Sequence, residues 1–196
     1  EALSAALGAE IRRRMADFVG GIECYQQHPY HRRYSAAFSA PATLWQDGSS
    51  ALLDYGPDLA GKEVKTVLFV PSLINRGYIL DLSRQRSLMR YLAESGVRPL
   101  LLDWGAPVDE ERNFSLDDYI AGRLNRALDA ALASAGQPIG LAGYCMGGLL
   151  AMPLALARPA DISSLILMAT PWDFHTGRQR DIIAVCKPAF ETMIST

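Results

Sequence analysis

The ten residues Leu141–Leu150, "LAGYCMGGLL", decide how the rest of this chain is read. They set a cysteine between two glycines, Gly143 and Gly147, where one apolar run ends and another begins. Upstream, "PIGLAGY" is short and bounded by Pro138, as a buried strand would be. Downstream, "CMGGLLAMPLALARP" is long enough for a buried helix, with Pro153 as a kink. A sharp strand-to-helix turn needs small residues two positions either side of its apex, because there the strand and helix backbones nearly touch. The turn also aims the helix N-terminus at the apex side chain, where the helix dipole favours negative charge on sulfur. It directs the Met146 N–H toward the place where an oxyanion would form. Cys145 therefore reads as a nucleophile, with Gly148 as a third small residue at the contact. The competing reading makes it a small buried hydrophobe in a glycine-rich helix contact.

The flanking pattern supplies the context such a turn requires. "KTVLFVPSLI" and "VRPLLLDWGAP" are continuous apolar runs, which suit strands buried on both faces, and "SRQRSLMRYLAESG" between them has helical spacing with a closing glycine. Ser115 opens "SLDDYIAGRLNRALDAALASAG" with Asp118 three residues on, a capping-box arrangement ahead of a long amphipathic helix. "ISSLILMATP" is one more strand. Strand and helix alternate, so the expected fold class is α/β, a mostly parallel sheet with helices on both faces. An antiparallel start precedes it, because Asp47-Gly48 in "TLWQDGSSALLDYG" separates two strand-forming runs in the manner of a tight hairpin.

At the amino terminus, Leu3, Leu7, Ile11, Met15, Phe18 and Ile22 recur every three or four residues. They predict an amphipathic helix that ends near Gly20-Gly21 and packs its stripe on a partner surface. "CYQQHPYHRRYSAAFSAPA" has no period and reads as an ordered connector. The expected organisation is an amino-terminal helical segment over 1–40 and a partial α/β core over 41–196.

Composition narrows the function classes. In 196 residues, 49% are hydrophobic, 20% are charged and the formal net charge is −2, which suits one globular core and gives no electrostatic reason to expect nucleic acid as a partner. No apolar run approaches the roughly 20 residues that span a bilayer, so the chain reads as cytoplasmic, without a membrane span. Cys24, Cys145 and Cys186 lie far apart with no histidine at ligand spacing, so neither a disulfide framework nor a metal site is expected.

Several blocks together resemble a known family. "PSLINRGYILDLSRQRSLMRYLAESGVRPLLLDWGAP", "SLDDYIAG", "GYCMGG" and "LILMATPWDFH", in this order and spacing, are similar to blocks of the polyhydroxyalkanoate synthases and their alpha/beta-hydrolase relatives. The resemblance runs from Pro71 to His175. It implies the alpha/beta-hydrolase fold, cut off here after the strand that follows the nucleophile turn, and an acyltransferase that polymerises (R)-3-hydroxyacyl-CoA. Cys145 would take the acyl group as a thioester, and a hydroxyl of a second unit would attack it. Transfer between two thiols keeps the acyl group activated, whereas a serine ester would lose much of that activation before chain extension. The implied partners are the acyl-CoA substrate and the growing polyester, with no cofactor, and with a homodimer or granule association as family traits. Alternative readings are an esterase or thioesterase using the same machinery, or a non-catalytic short homologue that binds polyester granules or a synthase.

Other residues carry over from the resemblance. Asn75, just after the strand ending near Ile74, is the candidate for the second oxyanion donor, with a plain turn asparagine as the equal alternative. Ile74, Tyr144, Trp172, Asp173 and His175 are expected to line the pocket. Asp81 and Asp103 read as caps or loop anchors rather than catalytic acids. The nucleophile also needs an aspartate and a histidine on later loops. His28 and His31 precede the sheet and His175 matches a pocket loop, so the acid and base are expected beyond residue 196. The chain has no initial methionine and stops inside an apolar segment, which marks it as an expected piece of a longer protein.

Overall fold

The computed structural model describes residues 2–27, 40–83 and 85–173, with side chains from residue 6 to residue 26 in the first span. In chain order its helices are α1 (Ala2–Gln27), α2 (Leu88–Glu94), α3 (Asn125–Ala135) and α4 (Met146–Ala157). Its strands are β1 (Ala42–Asp47), β2 (Ser50–Asp54), β3 (Thr66–Val70), β4 (Asp81–Ser83), β5 (Arg86–Ser87), β6 (Arg98–Asp103), β7 (Ile139–Tyr144) and β8 (Ile162–Met168). The chain divides into two compact units, Glu1–Ala40 with Asp81–Ser87, and Pro41–Leu80 with Leu88–Thr196.

In the first unit α1 continues through Gly20 and Gly21 to Gln27, past the predicted stop. Each glycine inside a helix costs only about 1 kcal/mol against alanine, too little to end a helix that has ordinary residues beyond it. Leu7, Ile11, Met15, Phe18 and Ile22 do fall on helical spacing, and they are exposed. Arg13 and Arg14 pair with Glu10, and Arg13 also with Asp17, so two of the three consecutive arginines sit in a solvated ion-pair ladder. The antiparallel pair β4 and β5 replaces the first part of a predicted helix. Helical structure begins only at Leu88, where the apolar side chains start: Met89 is fully buried and Leu92 packs beside it.

The second unit is built on a sheet ordered β1-β2-β6-β3-β7-β8 among the described residues. The predicted hairpin forms, with Asp47 opposite Ser50 and Gly48 at φ 54° in the turn. β2 runs antiparallel to β6, and β6, β3, β7 and β8 are mutually parallel. Alternation along the strands sends side chains to two cores. Leu68, Val70, Leu100, Leu102, Ile139 and Leu141 join Leu124 and Leu128 on the face covered by α3 and α4. Phe69, Leu101 and Ala142 meet Met89 of α2 on the other. Both faces carry helices, as the continuous apolar runs predict.

The long predicted helix is present, opened by its capping box. The Ser115 N–H and hydroxyl donate to Asp118 Oδ2 at 2.8 and 2.7 Å, and the Asp118 N–H donates back to Ser115 Oγ at 3.3 Å. Asp118–Leu124 winds as a π-helix before α3, and Gly136 closes α3 in the left-handed conformation.

Two buried ion pairs, not anticipated in the sequence, fasten the hairpin. Arg98 donates to Asp54 at 2.7 Å. Glu111 Oε1 pairs with Arg123 at 2.8 Å and accepts the Ser49 N–H at 2.9 Å, while its Oε2 accepts the Val108 N–H at 3.0 Å. Arg123 also donates to the Asp47 carbonyl. Burial pushes the Glu111 carboxyl up, but hydrogen bonds from Ser49, Val108 and Arg123 outweigh it and bring the pKa from 4.5 down to about 2. A depressed carboxylate stabilises the fold above its unfolded pKa and loses that contribution as pH falls toward its folded one. Glu111→Gln should therefore lower stability at pH 7 by on the order of 3 kcal/mol, with the gap to wild type closing between about pH 5 and pH 2. Urea midpoints measured across that range would check it; a gap independent of pH would contradict it.

Candidate active site

The β7–α4 junction is the sharp turn that the sequence predicts. Cys145 sits between them at φ 52°, ψ −128°, a region costly for a side chain with a Cβ and typical of functional strain. Its N–H donates to Met168 O at 2.8 Å, which ties the turn to the end of β8, and the Gly148 N–H donates to Cys145 O at 3.0 Å. The next residue after β8, Ala169, also has positive φ, 49°, so two adjacent strand ends are strained together.

Contact distances explain the glycines. A Cβ on Gly143 would lie 2.4 Å from the Gly148 Cα, and one on Gly147 would lie 2.0 Å from the Val70 carbonyl oxygen. A Cβ on Gly148 would lie 1.9 Å from Thr170 Oγ1. The strand, the helix and the loops after β3 and β8 are in van der Waals contact at this point. Cys145 is a free, half-buried thiol, and no side chain caps α4, which leaves the helix N-terminus uncapped beside the sulfur. The Met146 N–H belongs to this first turn.

β3 and β7 are neighbours whose following segments lead to opposite sides of the sheet, one toward β6 and the other toward β8. Such a switch point opens a crevice at the carboxyl ends of the strands, where ligands bind in open α/β sheets. The loop after β3 supplies its second wall. Pro71 and Ser72 are buried there, and Ser72 Oγ accepts the Ile74 N–H at 3.1 Å. Asn75 and Ile74 are exposed at the tip of this loop. Asp103 anchors it from β6, as predicted for a loop anchor: it accepts from Arg76 at 3.3 Å and from the Gly105 N–H at 3.1 Å.

The remaining predicted positions are spread around this crevice or outside it. Tyr144 is half-buried and packs with the Met89 cluster on the α2 face. Trp172 is 76% exposed and borders an open apolar depression with Met152, Leu167, Ala169 and Thr170. Asp173 is exposed. Cys24 is exposed on α1, and Asp81 belongs to the first unit. His28, His31, His175 and Cys186 lie outside the described residues. Among the described residues no group of three or more His, Cys, Asp or Glu gathers as metal ligands, and no helix is long and apolar enough to cross a membrane.

One residue at the site was passed over in the sequence. Trp104 is buried beneath the loop after β3, with its indole N–H on the Pro71 carbonyl at 3.0 Å. The signal was in "LLDWG": a tryptophan directly after a buried strand must find an acceptor for its N–H.

This architecture, a nucleophile turn after a central parallel strand, defines a class of protein. The chain belongs to the alpha/beta hydrolase fold family, whose sequence profile matches residues 65–193. The profile described as the poly-beta-hydroxybutyrate polymerase (PhaC) N-terminus matches residues 34–92. The poly(3-hydroxyalkanoate) polymerase subunit PhaC of Haloarcula marismortui is 35% identical over 143 residues, covering 68% of this chain and 30% of the relative. The subunit of the same name from Cupriavidus necator is 31% identical over 177 residues, covering 86% of this chain and 30% of the relative. The chain thus spans about a third of the length of the polymerases that it resembles. Among solved structures, a thioesterase domain from the curacin biosynthetic pathway has a TM-score of 0.55 at 21% identity, over 76% of this chain and 52% of that domain. A Bacillus licheniformis lipase has a TM-score of 0.51 at 15% identity, over 71% and 53%. Both show the shared fold. The resemblance drawn from the "GYCMGG" and "LILMATPWDFH" blocks is borne out by the polymerase similarities.

Proposed function

We propose that this chain carries the nucleophile part of an acyltransferase that polymerises (R)-3-hydroxyacyl-CoA. The observation that carries the reading is Cys145 held at positive φ between Gly143 and Gly147, at an uncapped helix N-terminus. The similarity to proteins named as poly(3-hydroxyalkanoate) polymerases supports the substrate class.

In the first half-reaction the Cys145 sulfur attacks the thioester carbonyl. The carbonyl electrons move to oxygen, and the oxyanion is met by the Met146 N–H and a donor from the loop around Asn75. Collapse breaks the bond to the coenzyme A sulfur, which leaves with the proton that Cys145 gave to the base. In the second half-reaction the 3-hydroxyl of another unit loses its proton to the base and attacks the acyl carbonyl, so an ester forms and the sulfur is released. Acyl-CoA is a substrate here, and no cofactor takes part. The chemistry also takes a general base and an acid that orients it. With these substrates the protein would work in the cytoplasm, at the surface of its own polyester.

Mixing the protein with an (R)-3-hydroxyacyl-CoA and following released thiol should give a burst of one equivalent, then turnover with polymer as product. Release of free 3-hydroxy acid without polymer would favour a thioesterase, and absence of a burst would remove the proposal. A burst without sustained turnover would mean that hydroxyl attack lacks its proton acceptor in residues 1–196. Sustained release that His175→Gln silences would instead make His175 the base.

A further inference from the structure

The loop between β3 and the Arg76–Gly77 bend is held from below by the end of β6, and its two attachments differ in kind. Toward its far end, Arg76 meets Asp103 at 3.3 Å, with Arg76 largely exposed. At its near end the contact is buried: the Trp104 indole N–H donates to Pro71 O at 3.0 Å, and Trp104 is 6% exposed. Exposed ion pairs hold position weakly, whereas a buried donor and acceptor have no water to exchange for each other.

The Pro71 carbonyl also touches the nucleophile turn. A Cβ on Gly147 would lie 2.7 Å from Pro71 O, so the backbone of the first turn of α4 rests against the same oxygen that the indole grips. Trp104 is itself immobilised. Its carbonyl accepts the Ser49 hydroxyl at 2.8 Å and the Ser50 hydroxyl at 3.2 Å, and its ring packs edge-to-face on Tyr119 at 5.5 Å. One side chain thus links the hairpin turn, the loop after β3 and the start of α4.

We propose that Trp104 is a positioning residue for acyl transfer at Cys145. By fixing the Pro71 carbonyl against Gly147, it sets the spacing between the Met146 N–H and the donor that the Ser72–Asn75 loop presents, and so the width of the oxyanion site. The inference rests on the acyl-transfer reading of Cys145 and is independent of which acyl donor the protein uses in the cell. An oxyanion forms when an ester acylates Cys145 and does not form when iodoacetamide alkylates it, so the two reactions separate positioning from general damage to the turn.

Trp104→Phe keeps an aromatic ring and removes the N–H. In the variant, acylation of Cys145 by a p-nitrophenyl ester, read by peptide mapping, should slow between about 10- and 100-fold, the scale on which small misplacements act. Its alkylation by iodoacetamide should be unchanged. Equal slowing of both reactions, or of neither, would overturn the proposal. If the Phe variant does not fold, benzothienylalanine at position 104, with sulfur in place of the N–H and nearly the same shape, gives the same comparison. Wild-type protein that takes an acyl group from the ester and none from 3-hydroxyacyl-CoA would fault the polymerase reading while leaving this one intact.

Discussion

Gly147→Val is expected to distort the site and to destabilise the fold. The added Cβ would sit 2.0 Å from Val70 O and 2.7 Å from Pro71 O, both backbone atoms of the central strand and its exit, so no flexible side chain can move aside. Either α4 lifts from β3 or the loop after β3 is pushed outward. Both loosen the α4-side core to which Val70 and Leu150 belong. Overpacking against a rigid contact costs up to about 3 kcal/mol. For a chain of this size that lowers the melting temperature by roughly 10 °C. Gly20→Ala serves as the control, because a Cβ there meets nothing within 4 Å and alanine is the better helix former. Calorimetry on the two variants would show the contrast, and equal melting temperatures would mean that the α4–β3 approach is looser than described.

Cys145→Ala should leave the fold intact while removing acyl transfer. Alanine fits the space of the thiol, keeps the Cys145 N–H bond to Met168 O, and retains the uncapped start of α4. What it lacks is the atom that forms the covalent intermediate. Losing a nucleophile that acts as one unit with its base costs on the order of 10⁶ in turnover where this has been measured, so coenzyme A release should fall to background. Substrate binding should persist, since the crevice between β3 and β7 is unaltered. A variant with normal melting and undiminished release would show that the chemistry occurs elsewhere.

The parts of this molecule that could be read from sequence are those in which local pattern and tertiary environment agree. The runs "TVLFV" and "LLLD" are apolar on both faces because they lie inside the sheet, and Asp47-Gly48 turns where a two-residue turn needs positive φ. The nucleophile turn was legible because its glycines answer a single steric demand that leaves few substitutes. Helix limits were harder. Gly20-Gly21 looked like a stop and was not one, and Arg86 and Ser87 looked helical by continuity with Met89 and Leu92 but pair with Ser83 and Asp81 as a short antiparallel strand. Glu111 could not be found by spacing at all. Its partners Ser49 and Arg123 come together only when the hairpin turn, the segment after β6 and the π-helical turn meet in space. Trp104 is an intermediate case: its need for an acceptor is local knowledge, while the identity of that acceptor, Pro71, is set by the order of strands β6 and β3.

Whether Cys145 accepts the acyl group is read by quenching the protein shortly after mixing with an (R)-3-hydroxyacyl-CoA and measuring intact mass and peptide masses. One added acyl group is expected, carried by the peptide that contains Cys145 and absent from Cys145→Ala. An acyl group on Cys24 or Cys186, or coenzyme A release with Cys145 never modified, would contradict it.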